Sequence, residues 1–125
     1  MPELPDLVYI AKRLAPEITG RTNTEVTVRQ PIVIRMMTGS SFTGALTGRR
    51  LLSLERHGPF LVFSTDGAAM VTHLMLSGHW QLGQGPQPTA HECFALGLDD
   101  GRWLRYGDET RMGRIYITTL DPEAL

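Results

Sequence analysis

Residues 51–76 read LLSLERHGPFLVFSTDGAAMVTHLML, and the punctuation of this stretch decides the fold. Leu51 to Arg56 and Phe60 to Ser64 are short apolar-rich runs of strand length, separated by His57-Gly58-Pro59. Asp66-Gly67 then gives a hairpin signal that leads into a third run, Ala69 to Leu76. Short strands punctuated by turn residues predict an antiparallel meander.

The same grammar extends in both directions. Downstream, a strand begins at His79, and Gly83 to Ala90, with its prolines and glycines, reads as a loop. Phe94 to Leu98 and Arg102 to Tyr106 flank Asp99-Asp100-Gly101, another hairpin, and Arg114 to Leu120 ends the sheet. Upstream, Val26 and Val28 alternate with Thr27 and Arg29 as in a half-buried strand, and Pro31 to Met37 continues as an irregular or edge segment. Ser40 or Ser41 caps a short helix through Leu46. At the start, Leu7, Ile10, Ala11 and Leu14 recur at three and four residues, so Asp6 to Leu14 forms a helix with one apolar face. Pro5 suits its first turn, Asp6 complements its positive end, and Pro16 and Gly20 close it. The expected fold is mainly β (α+β): an antiparallel β-sandwich of about seven or eight strands, an amino-terminal helix and one further short helix.

Composition fits one domain spanning residues 1–125, with 42% hydrophobic and 20% charged residues. Cys93 is the single cysteine, which excludes an internal disulfide and a cysteine-based zinc site. No apolar run approaches the roughly 20 residues needed to span a bilayer, and the acidic start is unlike a secretory signal. The expected compartment is therefore the cytoplasm. Net charge is −1, so no basic footprint advertises a nucleic acid, although Lys12 is the only lysine and the other cations are arginines.

The chemistry concentrates at Met1-Pro2-Glu3-Leu4-Pro5-Asp6. Methionine is normally removed before a small residue, and removal exposes Pro2 as a secondary amine. An α-amino group titrates near ~8 and keeps an unprotonated fraction at neutral pH. It can attack an aldehyde-like sugar carbon to give an iminium ion, with the neighbouring Glu3 moving protons. Read alone, the same residues also suit a plain helix start whose acids complement the dipole.

That start, followed by a helix and a β-sandwich, resembles the Fpg/Nei family of formamidopyrimidine and oxidised-base DNA glycosylases. The resemblance continues at Gly48-Arg49-Arg50-Leu51-Leu52, at Arg56 to Val62, and at His73-Leu74-Met75-Leu76-Ser77-Gly78. It resumes at Arg105-Tyr106-Gly107-Asp108 and at Arg111-Met112-Gly113, in family order across essentially the whole chain. It implies an amino-terminal catalytic domain of a bifunctional glycosylase and AP lyase of base excision repair. Helix–two-turn–helix and zinc-finger domains are expected outside this chain. By the resemblance Pro2 is the Schiff-base nucleophile, Glu3 the proton shuttle and Asp6 a support for the amino terminus. Leu76 is the wedge that fills the space of an everted base, where a core leucine ending a strand is the alternative. His91 contacts a phosphate or is an ordinary exposed loop histidine. Arg111 and Met112 face the orphaned strand, with Met112 as a flexible plug. The implied partner is damaged double-stranded DNA. No cofactor is expected in this chain, and zinc only in the finger.

Asp6 stands where the family has glutamate, Leu76 where it commonly has methionine and Met112 where it has phenylalanine, and two further positions depart more sharply. Pro59 stands where the family has its phosphate-holding lysine, leaving Arg56 or His57 to supply a cation. Thr110 stands where the family has the arginine that reads the opposite base. These departures keep open a second reading, a damage-binding relative without lyase activity, and, for these 125 residues, an inactive fragment. A β-sandwich used for oligomerisation or small-ligand binding is the third.

Overall fold

A computed structural model describes residues 4–36, 41–85 and 87–119. The order is α1 (Leu4–Ile18), β1 (Asn23–Val28), one 3-10 turn (Pro31–Val33), β2 (Ile34–Met36), α2 (Phe42–Leu46), β3 (Leu51–His57), β4 (Phe60–Thr65), β5 (Ala68–His73), β6 (Gly78–Gln84), β7 (Glu92–Leu98), β8 (Arg102–Asp108) and β9 (Arg114–Thr119). Two sheets form, one ordered β1-β7-β8-β6 and the other β2-β9-β5-β4-β3. Their inner faces share one core. Phe63 of β4 meets Trp80 of β6 with ring centroids 4.8 Å apart, and Phe94 and Tyr106 stack at 5.4 Å behind them.

The mainly β sandwich with two helices is as the sequence predicts, with nine strands among the described residues rather than seven or eight. The additional strand comes from the segment 31–36, whose edge character was expected. Its partner is the surprise: β2 runs parallel to β9, Ile34 against Ile115, in a sandwich whose other pairings are antiparallel. Ser41 is the cap of α2, its Oγ accepting from the Gly44 amide at 2.9 Å.

Several boundaries move, three of them with consequences for the packing and the loops. The first helix runs through Pro16 to Ile18, because Ile18 is fully buried and its packing outweighs the backbone bond that proline forfeits. Gly20, at φ 88°, then turns the chain and donates its amide to Leu51. Gly83 and Gln84 belong to β6, so the predicted loop begins two residues later. The strand expected to reach Leu76 stops at His73. Leu74 is buried, Met75 takes φ 53°, and the Gly78 amide returns to the Leu74 carbonyl at 2.9 Å, which makes 74–77 a turn.

The registers divide the sandwich into two ends. His57 pairs with Phe60, His73 with Arg114, Gly78 with Asp108, and Glu92 with Gly107, so the connections after β3, β5 and β8 and the arrival at β7 share one end. The turns at Asp66-Gly67 and at 99–101 lie at the other. The sequence residues singled out by the resemblance, from Arg56 onward, gather at the first end.

Candidate DNA-facing end of the sandwich

The centre of this end is a carboxylate that sequence reasoning gave no role. Asp108, the last residue of β8, is fully buried. Its Oδ1 accepts from the Ser77 hydroxyl at 2.6 Å, the Arg111 amide at 3.0 Å and the Thr110 hydroxyl at 3.2 Å. Its Oδ2 accepts from the Gly113 amide at 2.8 Å and the Tyr106 hydroxyl at 3.0 Å. The Asp108 amide itself donates to the His91 carbonyl at 3.0 Å. One residue therefore fastens three segments: the 74–77 turn, the 109–113 loop and the end of the 85–91 loop.

The electrostatics follow from that geometry. Burial would raise the Asp108 carboxyl, but the bonds from Ser77, Gly113, Tyr106 and Arg111 outweigh it, and its pKa lies below the ordinary carboxylate value. The consequences pass to its neighbours. Burial first, then the Asp108 charge, push the Tyr106 phenol up. The same pair of causes lifts the Cys93 thiol to about 11, so this cysteine is an inert core residue rather than a nucleophile. Glycine is needed twice around the tyrosine. A Cβ on Gly78 would sit 2.5 Å from the Tyr106 hydroxyl, and one on Gly113 would overlap both that hydroxyl and the Asp108 carboxylate.

A second buried cluster holds the 85–91 loop. Arg105 Nη1 donates to Glu92 Oε1 at 2.6 Å and its Nη2 to the Gly85 carbonyl at 2.9 Å. Arg29 Nε reaches the other Glu92 oxygen at 3.0 Å, and the Thr89 amide donates to Glu92 Oε1 at 3.3 Å. Arg105 also lies over the Trp103 ring at 5.2 Å. Both ends of the loop are thereby pinned, and it delivers His91 to the rim at φ 54° with its side chain exposed.

The predicted site residues distribute as follows. Leu76 is 54% exposed at the tip of the 74–77 turn, which rules out the strand-ending core leucine as its role. Met112 is 45% exposed and Arg111 is exposed at φ 56°, both on the adjoining 109–113 loop. Arg56 and His57 end β3 at the Gly58-Pro59 turn of the same end. Arg56 Nη1 donates to the Gly58 carbonyl at 3.1 Å, and His57 Nε2 lies 3.2 Å from Glu55 Oε2. The turn is tied to the 74–77 turn through Phe60, whose ring meets His73 edge-on at 5.3 Å, while His73 Nδ1 accepts from the Met75 amide at 3.1 Å. Asp6 is exposed in the first turn of α1. Pro2 and Glu3, the residues expected to carry the chemistry, lie outside the described residues. A cleft of about 240 Å³ between α1 and β6, lined by Tyr9, Arg13, Leu14 and Trp80 among others, contains none of the predicted site residues.

Asp108 and Ser77 were missed as organisers, although a signal existed. An aspartate closing a strand before a short polar loop with a glycine commonly accepts from amides a few residues on. No group of three metal-ligating side chains occurs among the described residues, and no described helix is long and apolar enough to cross a membrane.

Comparison with known proteins gives one consistent answer. Residues 1–115 match the family model for the formamidopyrimidine-DNA glycosylase N-terminal domain. A formamidopyrimidine-DNA glycosylase of Heliobacterium modesticaldum is 37% identical over 124 residues, covering 95% of this chain and 45% of the relative. One from Thermus thermophilus is 37% identical over 117 residues, covering 93% of this chain and 40% of the relative. Among solved structures, the Lactococcus lactis Fpg in complex with DNA containing an abasic site superposes with a TM-score of 0.87. That match has 22% identity and covers 98% of this chain and 46% of that one. The same fold is found in the Lactococcus lactis Fpg complex with DNA containing Fapy-dG, at a TM-score of 0.85 and 22% identity, covering 98% of this chain and 46% of that one. The chain thus spans less than half the length of these relatives.

Proposed function

The chain belongs to the formamidopyrimidine-DNA glycosylase family, as its N-terminal domain, and from that premise we propose that it is the catalytic half of a DNA-repair enzyme. Its substrate is double-stranded DNA carrying an oxidised or ring-opened base, and its place of action is the bacterial cytoplasm. The observation that supports this reading best is the common end of the sandwich. There, exposed apolar tips at Leu76 and Met112, on turns fastened to Asp108, stand beside exposed Arg111, His91, Arg56 and His57. An apolar tip replaces the stacking of an everted base, and flanking cations meet phosphates.

In this reading the Pro2 nitrogen, freed by loss of Met1, bonds to the sugar C1′ as the bond from C1′ to the damaged base breaks. The base departs with its electron pair and takes up the proton that the proline nitrogen loses. Glu3 delivers a proton to the ring oxygen and the ring opens to the iminium ion; the Glu3 carboxylate then takes the acidified C2′ proton as the 3′-phosphate leaves by β-elimination. Asp6 supports the amino terminus from the first helical turn. These steps use amine and carboxyl groups alone, and zinc belongs to the finger outside this chain.

Base release tests the assignment. Pro2→Gly should slow strand cleavage, and Glu3→Gln should suppress base excision by about 100-fold or more while lesion binding persists. An intact mass lacking methionine is required, because an amide nitrogen at Pro2 has no nucleophilic lone pair. Pro59, at the position where the resemblance implies a phosphate-holding lysine, favours a second reading, a lesion-binding relative without lyase activity. Lesion-specific binding with neither base release nor strand cleavage would select it.

A further inference from the structure

On the flank of the sandwich, away from the end that gathers the predicted site residues, part of the apolar interior stays open. α1 packs against β3 and β4 of the five-stranded sheet. Toward β6 of the other sheet it leaves the cleft of about 240 Å³. Ile10 and Leu14 of the helix face Trp80 and Leu82 of the strand across this gap, all four only partly buried. Trp80 and Leu82 are two residues apart and share a face of β6, the face that Trp80 carries into the core against Phe63.

Three properties select an occupant. The first is size: the volume falls below the roughly 300–1,000 Å³ of small-molecule and cofactor sites and suits a few side chains. The second is charge. Glu17, the one acid lining the cleft, is paired with Arg102 at 3.4 Å. Arg13 lines the same cleft with its guanidinium over the exposed Tyr9 ring at 5.7 Å. Neither Arg13 nor its exposed neighbour Lys12 forms an ion pair among the described residues, so the cations beside the cleft are free to meet a carboxylate. The third is the strand edge. β6 is the outermost strand of its sheet and pairs with β8 alone, so a chain laid along its other edge gains main-chain hydrogen bonds while alternate side chains enter the cleft. From Tyr9 to Glu17 the helix rises about 12 Å, the length of about four extended residues. We propose that this cleft docks an extended segment of a partner protein, with apolar side chains seated between α1 and β6 and flanking carboxylates on Arg13 and Lys12. None of these residues belongs to the end proposed to meet DNA, so docking and lesion binding are separable.

The probe is a fluorescein-labelled peptide in which two leucines alternating with threonines are flanked on both sides by aspartates, titrated with the full-length protein and read by anisotropy. Saturation with a Kd below about 100 μM is expected. Leu82→Glu should abolish binding, and Arg13→Glu should weaken it about fivefold or more, as should lysines in place of the aspartates. Arg13 is exposed, so its reversal keeps the test decisive even where Leu82→Glu fails to fold. Methylating every second peptide nitrogen should weaken binding in one register and spare it in the other, and equal affinity in both registers would overturn strand addition. Absence of saturation, or a Kd indifferent to Arg13→Glu, would overturn the docking site. No peptide binding together with a loss of single-stranded DNA affinity in Arg13→Glu would overturn it in favour of a nucleic-acid surface.

Discussion

The two ends of this sandwich solve the same problem, reversing the chain, in opposite ways. At the end carrying the Asp66-Gly67 and 99–101 turns, the positive-φ positions among the described residues are glycines: Gly20, Gly48, Gly85 and Gly101. That end is stitched by partly exposed ion pairs, Arg102 to Asp100 at 2.7 Å and to Glu17 at 3.4 Å, with Arg21 reaching Asp99 at 3.5 Å. At the other end, Gly58 is joined by Met75, His91 and Arg111, residues with side chains that left-handed backbone disfavours. There the bonds are buried and converge on Asp108 and Glu92. One end is built at low strain from permissive residues. The other holds strained residues in place with buried charge, which is where a binding surface is expected.

The comparison can be broken at its strongest point first. Asp108→Ala strands the Ser77 and Tyr106 hydroxyls and the Arg111 and Gly113 amides, and should cost about 4 kcal/mol in urea unfolding together with lesion binding. The pH dependence has a definite sign. Because the folded Asp108 pKa is lowered, its contribution is complete above the unfolded value near ~3.9 and is lost as pH falls through the folded value. The wild type should therefore lose more stability than Asp108→Asn as pH falls from about 5 to about 3, measured by urea midpoints.

Arg105→Ala comes next. It leaves Glu92 charged, buried and without its closest partner, at about 3 kcal/mol, and releases the loop that presents His91. At the far end, Gly101→Ala forces a Cβ into left-handed backbone and should cost about 1–2 kcal/mol while leaving lesion affinity unchanged. The smallest effect has the opposite direction. Arg111→Gly relieves strain at φ 56° and should raise stability by about 0.5–1 kcal/mol, yet weaken DNA binding and flatten its salt dependence. A loss of stability in Arg111→Gly would show that the rim is not strained in the sense argued here.

How much of this was legible beforehand depends on the range of the interaction. The turns at Gly58-Pro59, Asp66-Gly67 and 99–101, and the cap at Ser41, rest on nearest-neighbour chemistry and were readable from the sequence. The extension of α1 past Pro16 was not, because it depends on where Ile18 is buried. The parallel pairing of β2 with β9 joins residues about eighty positions apart, and no local pattern encodes it. At the site, the resemblance pointed to Leu76, Arg111 and Met112, and the structure places all three on exposed rims of one end. It included Asp108 in a matching block but gave it no role, because its importance comes from being the place where three separate segments meet. Thr110 shows the limit from the other side: its substitution is visible in the sequence, but its inward hydrogen bonds are not.

The claim on which the functional account turns is that the amino-terminal proline forms a covalent bond with the sugar. Incubating the full-length protein with an abasic-site duplex and borohydride, followed by peptide mapping, tests it directly. The account predicts a reduced adduct on Pro2 of a chain that has lost Met1. An adduct on another residue, or none while lesion-specific binding persists, would contradict it.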